Sequence, residues 1–215
     1  MSGNITEAPE RQMVHEPPRP APRRLTFEEF LALDDERTMS EWVDGEVIFM
    51  SPTTRRHQEL MSFFVQVLGL YATIHNSGVV IPAPFVMKIE EGRRGREPDV
   101  LFVSSERAHL IQRTYLDGPA DLSIEIVSPE SIERDRSEKF GEYERAGVKE
   151  YWLIDPDRES AEFYELGADG RYRMAAVESG GVYRSKVVAG FHVRLSWLWQ
   201  TPAPALEALR ELKLI

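Results

Sequence analysis

The residues best suited to chemistry are two acids on consecutive predicted strands. Asp99 opens the run EPDVLFVS directly after Pro98, and Glu125 lies within DLSIEIVS on the face opposite the isoleucines. A strand-opening aspartate is often only a turn residue, but a carboxylate in a strand covered on both faces needs a partner. Magnesium suits that role because it accepts one or two carboxylates and keeps waters or phosphate oxygens as its other ligands. We therefore expect Asp99 and Glu125 to bind magnesium, with manganese as the alternative.

A basic side chain is the third element that such a site would use, since it can orient water and offset charge on a phosphate. Two positions after Glu125, on the same face of the strand, the residue is Val127, which cannot do this. Lys139 is the candidate, because it lies in the second turn of the next predicted helix and helical side chains lean toward the N-terminus. The alternative is an ordinary exposed helix lysine.

The helix that carries Lys139 is predicted in RSEKFGEYERAG. Asp135 has the position of an N-cap with Glu138 as its capping-box partner, Tyr143 faces inward, and Gly147 ends the helix. Asp135 could instead reach the lysine or a metal-bound water, and Tyr143 could belong to the core or support the lysine. Because the strand EYWLID follows directly, this segment is a βαβ unit, and its two strands should be parallel.

Local signals place the other elements. Thr26 and Glu29 have capping-box spacing at the start of a short helix, and the dipeptide Asp44-Gly45 predicts a tight hairpin within SEWVDGEVIFMSP. A long helix is predicted from about residue 55 to residue 76 by its apolar periodicity. The runs GVVIPAPFVMKIE, EPDVLFVS and DLSIEIVS predict the central sheet, SAEFYELGADGRYRMAAV a hairpin, and PALEALRELKLI a C-terminal helix.

The fold class predicted from these elements is mixed α/β, with residues 25–215 as a single domain. Residues 1–24 are rich in proline and poor in large apolar side chains, which predicts a disordered tail. No apolar run approaches the length of about 18 residues that a membrane span needs. The chain has no cysteine, which excludes disulfides, thiolate zinc sites and cysteine nucleophiles. We expect a cytoplasmic protein with no membrane association and no organic cofactor.

The net charge of −10 disfavours non-specific attraction to a polyanion, so contacts to nucleic acid would be local. Short basic clusters occur in RRHQEL, GRRGRE and ERDR. They are either solvated loop charges or contacts to phosphate. The candidate DNA contacts are Arg55, Arg56, Arg94 and Arg96.

Several segments, in order, resemble the Uma-two family of restriction endonucleases, a branch of the PD-(D/E)XK nuclease superfamily. They are SEWVDGEVIFMSPTTRRHQEL, REPDVLFVS, PADLSIEIVSPES and DRSEKFGEYERAGVKEYWLIDP, within about Thr26 to Leu195. The resemblance implies a restriction-endonuclease-like core, which is a mixed sheet flanked by helices. It also implies DNA as the substrate and a homodimer that addresses two strands.

The resemblance also implies roles for particular residues. Metal would be held by Asp99, Glu125 and the backbone carbonyl of Ile126, and Glu41 matches the acid supplied from before the core strands. The superfamily usually has its lysine two positions after the glutamate. In this branch the lysine comes from the following helix, at the position of Lys139.

His57 also corresponds to a position where the family tends to have a histidine. One interpretation is that His57 is simply a polar residue in a first helical turn. The other is that it lies near Glu41 and contacts either a phosphate or a residue that binds the metal.

The leading hypothesis is a metal-dependent endonuclease that hydrolyses DNA. The alternative is that the nuclease fold serves as a catalytically silent binding or dimerisation module, since a fold does not by itself imply a function. A serine hydrolase is disfavoured because no G-x-S-x-G motif occurs.

Overall fold

The structure is a computed structural model that describes residues 24–33, 39–50, 53–90 and 93–215. The predicted N-terminal tail lies outside the described residues except for Arg24. Within the described ranges, no helix combines the length and the apolar composition needed to cross a membrane.

The described residues form one long helix, α2, together with shorter helices and many short strands. The helices are α1 (Phe27–Leu33), α2 (Arg55–Ile74), α3 (Phe140–Ala146), α4 (Leu195–Leu198) and α5 (Ala205–Glu211). The first seven strands are β1 (Ser40–Val43), β2 (Glu46–Phe49), β3 (Gly78–Pro82), β4 (Val86–Ile89), β5 (Arg94–Arg96), β6 (Val100–Ser104) and β7 (Tyr115–Asp117). The others are β8 (Leu122–Ile126), β9 (Glu150–Asp155), β10 (Ser160–Leu166), β11 (Tyr172–Met174), β12 (Val182–Arg184) and β13 (His192–Arg194).

The strands form two main sheets. A six-stranded sheet has the order β11-β10-β9-β8-β6-β3, and a five-stranded sheet has the order β2-β1-β5-β4-β7. The pairing of β8 with β9 is parallel, as the βαβ pattern predicts. The run GVVIPAPFVMKIE does not stay in one sheet, because β3 joins the six-stranded sheet and β4 the five-stranded one.

Both faces of the six-stranded sheet are covered. On one face α2 packs its buried side chains, such as Phe64 and Leu68, in a core that also contains Ile124 of β8. On the other face Tyr143 of α3 packs in a second core with Leu101 of β6. A polar side chain on β8 is therefore enclosed whichever face it occupies.

The local signals in the first hairpin and the first helix are confirmed. The backbone N–H of Thr26 donates to Glu29 Oε2 at 2.9 Å, and that of Glu29 donates back to Thr26 Oγ1 at 3.1 Å. Asp44 and Gly45 both have positive φ, as a type I′ turn requires, and join β1 to β2.

The helix that carries Lys139 begins earlier than the sequence suggested, so the prediction that Asp135 is its N-cap is wrong. Ser128 and Ser131 form the reciprocal cap instead. The N–H of Ser131 donates to Ser128 Oγ at 3.2 Å, and the N–H of Ser128 donates to Ser131 Oγ at 3.0 Å. Pro129 directly follows Ser128 in the turn that leads into the helix, where its missing N–H costs nothing. A π-helical stretch, Arg134–Lys139, then leads into α3.

Candidate active site

Asp99 and Glu125 face each other across two antiparallel strands. In the β6–β8 ladder Val100 is opposite Ile124, and the same register carried one residue further places Asp99 opposite Glu125. Directly opposed residues project to the same face of a sheet. Both carboxylates are buried, and together with Ile126 they line a cavity of about 210 Å³.

Asp99 is held from two sides through a single oxygen. Its Oδ2 accepts the backbone N–H of Ile126 at 2.7 Å and lies 3.1 Å from His57 Nε2. His57 is fixed in the first turn of α2, where its own N–H donates to the N-cap side chain of Thr54. The structure thus brings His57 to Asp99, rather than to Glu41.

Glu125 is also engaged through one oxygen. Its Oε1 accepts hydrogen bonds from Lys139 Nζ and from the Tyr143 hydroxyl, both at 2.9 Å. Burial raises the pKa of Glu125 well above its ordinary value, the Lys139 ammonium opposes that rise, and the carboxylates of Asp135 and Asp99 add to it. A carboxyl in this position therefore holds its proton more tightly than one in water.

Lys139 points into the cavity and not into solvent. Its side chain is buried, and besides Glu125 its Nζ lies 3.0 Å from Glu41 Oε1 and 3.4 Å from Asp135 Oδ1. Burial by itself would lower the pKa of Lys139, but the surrounding carboxylates outweigh it and raise that pKa. The amine is therefore an ammonium at neutral pH.

Both carboxylate oxygens of Glu41 contact basic side chains. In addition to the contact with Lys139, its Oε2 accepts Arg96 NH1 at 2.7 Å. Burial alone would raise the pKa of Glu41, yet Lys139, Arg96 and the more distant Arg134 lower it to about 2. Glu41 is thus a permanently charged anchor for Lys139.

Arg96 is not on the surface where DNA could contact it. Its side chain is 0% exposed, and besides Glu41 it donates to Glu142 Oε2 from Nε at 2.7 Å and to Glu142 Oε1 from NH2 at 2.8 Å. It therefore ties β5 to β1 and to α3 around the site.

The other candidate DNA contacts have partners within the protein. Arg55 is exposed and pairs with Glu59 one turn along α2 at 2.7 Å. Arg56 donates to the backbone carbonyls of Leu198 and Gln200. Arg94 pairs with Asp44 and with Glu142 on α3.

The role of Arg96 was missed because its carboxylate partners are distant in sequence. Arg96 and Glu142 are 46 residues apart, and Arg96 and Glu41 are 55 apart. The available signal was that a basic residue directly precedes the acidic motif EPD. The cap formed by Ser128 and Ser131 had a stronger signal, since SPES combines an N-cap residue with proline at the next position.

The donor set suits magnesium better than a metal that needs several protein ligands. Among the described residues, no group of three or more His, Cys, Asp or Glu side chains is placed to hold a metal. Asp99 Oδ1 and Glu125 Oε2 accept no hydrogen bond from the described residues, whereas the other oxygen of each carboxylate is engaged. Two carboxylates with one open oxygen each match the sparse protein ligation of magnesium.

Comparison with known proteins shows the family of the chain. The model of the family Uma2, described as "Putative restriction endonuclease", matches residues 27–196. The chain belongs to this family. The resemblance predicted from the four sequence motifs is thereby confirmed.

A solved structure shares the fold. It is the crystal structure of a "putative nuclease belonging to DUF820" from Anabaena variabilis ATCC 29413, with a TM-score of 0.68 and 19% sequence identity over 81% of this chain and 97% of that chain. The restriction-endonuclease-like arrangement of mixed sheets flanked by helices, predicted for this chain, is confirmed. No curated protein matches the chain.

Proposed function

We propose that the protein is a magnesium-dependent endonuclease that hydrolyses phosphodiester bonds of DNA, with manganese as an alternative metal. One observation carries the proposal: Asp99 and Glu125 lie opposite each other on adjacent strands, and each directs a carboxylate into the cavity that also holds the Lys139 ammonium. Membership of a restriction endonuclease family supports the same reaction.

The metal would be held by Asp99, Glu125 and the backbone carbonyl of Ile126. When bound there, a magnesium ion supplies Lewis-acid polarisation of the phosphate and a lower pKa for a coordinated water. His57 and the N–H of Ile126 hold Asp99 through Oδ2, which would leave Oδ1 available to a bound cation.

Lys139 stabilises negative charge and does not act as a general base. Its pKa is raised, so the amine has no lone pair available to remove a proton from water at neutral pH. The ammonium lies beside Glu125, where it offsets the charge that develops on the phosphate during attack. Glu41 and Arg96 are positioning residues, since they hold Lys139 and α3 in place.

Substitution of the two carboxylates tests the proposal. Asp99→Asn and Glu125→Gln should each reduce magnesium-dependent cleavage of supercoiled, linear or branched DNA by at least about a thousandfold while the fold persists. Asp117→Asn is a matched control, because Asp117 is an exposed strand acid in the other sheet. Retention of wild-type cleavage by both site variants would exclude this mechanism.

The second candidate is a silent binding or dimerisation module. It is favoured by the Lys139–Glu125 ion pair, which already neutralises part of the cavity, and by the net charge of −10. Calorimetric titration with magnesium and manganese separates the two. Absence of binding that depends on Asp99 and Glu125 would favour the module, and sedimentation equilibrium would show whether the chain forms the homodimer we propose.

A further inference from the structure

Phe49 is a solvent-exposed aromatic residue that lines the cavity of the candidate active site. Among the aromatic side chains of Phe, Tyr and Trp in the described residues, it is the one that is exposed, with 71% of its surface open to solvent. It lies at the end of β2, an edge strand, and lines the same cavity as Asp99 and Lys139. A molecule that fills this cavity therefore meets the phenyl ring.

The rim of the cavity near Phe49 is apolar. Met39 and Met50 line the cavity beside it and are joined by a backbone hydrogen bond of 2.9 Å from Met50 N to Met39 O. This backbone hydrogen bond holds the end of the hairpin in place, although the Phe49 ring itself does not pack in a core. Arg134 and Glu130 line the cavity as well, and acidic side chains outnumber basic ones among the residues that line it.

The surface offers little of the positive charge that usually binds a DNA backbone. The net charge is −10, Arg96 is enclosed, and Arg55 and Arg94 are each paired with a glutamate. Since phosphate neutralisation is what gives most proteins their affinity for duplex DNA, a substrate of this site must be bound in part by other contacts. Stacking of a base on an aromatic ring is such a contact, and it does not depend on base identity.

We propose that Phe49 stacks on an unpaired base next to the scissile phosphate, so that the substrate is DNA with unpaired bases at the cleavage point. This inference rests on the proposed function. In an intact duplex both faces of each base are covered by neighbouring bases, and the ring would find no free face. A single strand, a flap or a branch point presents one.

The test compares two oligonucleotides of the same sequence around the cleavage point, one fully paired and one with a single-stranded flap. The wild-type protein, Phe49→Ala, Phe49→Trp and the control Met174→Ala are assayed with magnesium for kcat/KM on both. Met174 is a matched exposed apolar residue, 63% exposed on β11 of the other sheet. A second arm measures binding of a fluorescein-labelled single strand by anisotropy in EDTA.

On the flap substrate we expect Phe49→Ala to lose about tenfold in kcat/KM, the lower end of what removal of one base stack costs. Phe49→Trp should stay within about threefold of wild type, because a larger ring still stacks. Met174→Ala should have the kcat/KM of the wild type on both substrates. Phe49→Ala should lower kcat/KM less on the paired substrate than on the flap.

Failure of the inference and failure of the proposed function give different results. Suppose that the wild type cleaves DNA, and that Phe49→Ala lowers kcat/KM equally on both substrates or does not lower it at all. The stacking role is then wrong, and the endonuclease proposal stands. If the wild type cleaves nothing, the endonuclease proposal fails, and equal affinity of wild type and Phe49→Ala for the single strand then overturns the inference too. A wild-type dimer that becomes monomeric in Phe49→Ala would assign the ring to contact between copies and would also overturn it.

Discussion

Two buried glutamates on adjacent strands of the same sheet have opposite surroundings. Glu125 on β8 and Glu150 on β9 are 2% and 1% exposed, and burial raises the pKa of both. Glu150 accepts two hydrogen bonds at each oxygen, whereas Glu125 accepts two at Oε1 and, from the described residues, none at Oε2. The donors to Glu150 are Trp152, Ser185, Lys186 and Val187.

The difference is the basis on which we assign a structural role to Glu150 and propose a functional one for Glu125. Neutral donors satisfy Glu150, and they connect β9 to the loop after β12, so its hydrogen bonds are all used within the fold. Glu125 is bound to a cation and keeps one oxygen open toward a cavity. Burial and a raised pKa are common to both glutamates. The unused acceptor is what distinguishes Glu125.

Removal of the cation beside Glu125 should have the largest effect. Lys139→Met leaves Glu41, Glu125 and Asp135 without their shared ammonium, and breaking a buried ion pair from one side costs about 3–5 kcal/mol. Guanidinium denaturation measures the loss. The double variant Lys139→Met with Glu125→Gln should recover part of it, and a single variant as stable as wild type would contradict the ion-pair network.

Magnesium should stabilise the protein through Glu125 and not through Glu150. At a hundred times the dissociation constant, a ligand that binds only the native state adds about 2.7 kcal/mol. Wild-type protein and the Asp117→Asn control should therefore show a higher Tm with magnesium in calorimetry, and Glu125→Gln should not. An equal rise in Glu125→Gln would place the metal elsewhere.

Loss of Glu150 should weaken the fold without affecting the reaction. Glu150→Ala leaves the N–H groups of Lys186 and Val187 and the hydroxyl of Ser185 without their acceptor, which costs about 2 kcal/mol. Urea denaturation gives the stability, and DNA cleavage well below the unfolding transition gives the activity. A loss of activity with unchanged stability would reverse the assignment of the two glutamates.

The pH dependence of stability should change most subtly, in Glu125→Gln. Because the folded-state pKa of Glu125 lies above the unfolded value, its protonated form favours folding at low pH, and that contribution is lost as pH rises through the folded-state pKa. The variant removes this loss, so without metal its stability relative to the wild type should rise as the pH increases from 5 to 8. Denaturation from pH 5 to pH 8 in EDTA should show a flatter profile than wild type, and an identical profile would contradict the raised pKa.

Local signals made much of the site predictable. The dipeptide Asp44-Gly45 has the positive φ values that its hairpin needs, and this places Glu41 on β1. The alternation in LSIEI placed Glu125 opposite the isoleucines, and the lean of helical side chains brought Lys139 toward it. Each inference used residues that are close in sequence, where propensity and periodicity operate.

Long-range pairing explains what could not be predicted. Nothing local to β4 shows that it leaves the sheet of β3, since partner choice depends on the register of strands that come later in the chain. Arg96 was predicted at the surface because its neighbours are charged and glycine-rich, yet the carboxylates that enclose it come from β1 and α3. The missed cap at Ser128 is different, since its signal was local and Asp135 offered a competing one.

The winding of the helix before α3 explains how three site residues share one face. Asp135, Lys139 and Tyr143 are spaced by four, and in a regular α-helix each step of four overshoots a full turn by about 40°. A π-helical turn holds more residues and undershoots instead, so the drift from Asp135 to Lys139 runs against the drift from Lys139 to Tyr143. The two drifts largely cancel and align the three side chains. In a continuous α-helix the two steps would add instead of cancelling, and Tyr143 would lie about 80° around the axis from Asp135.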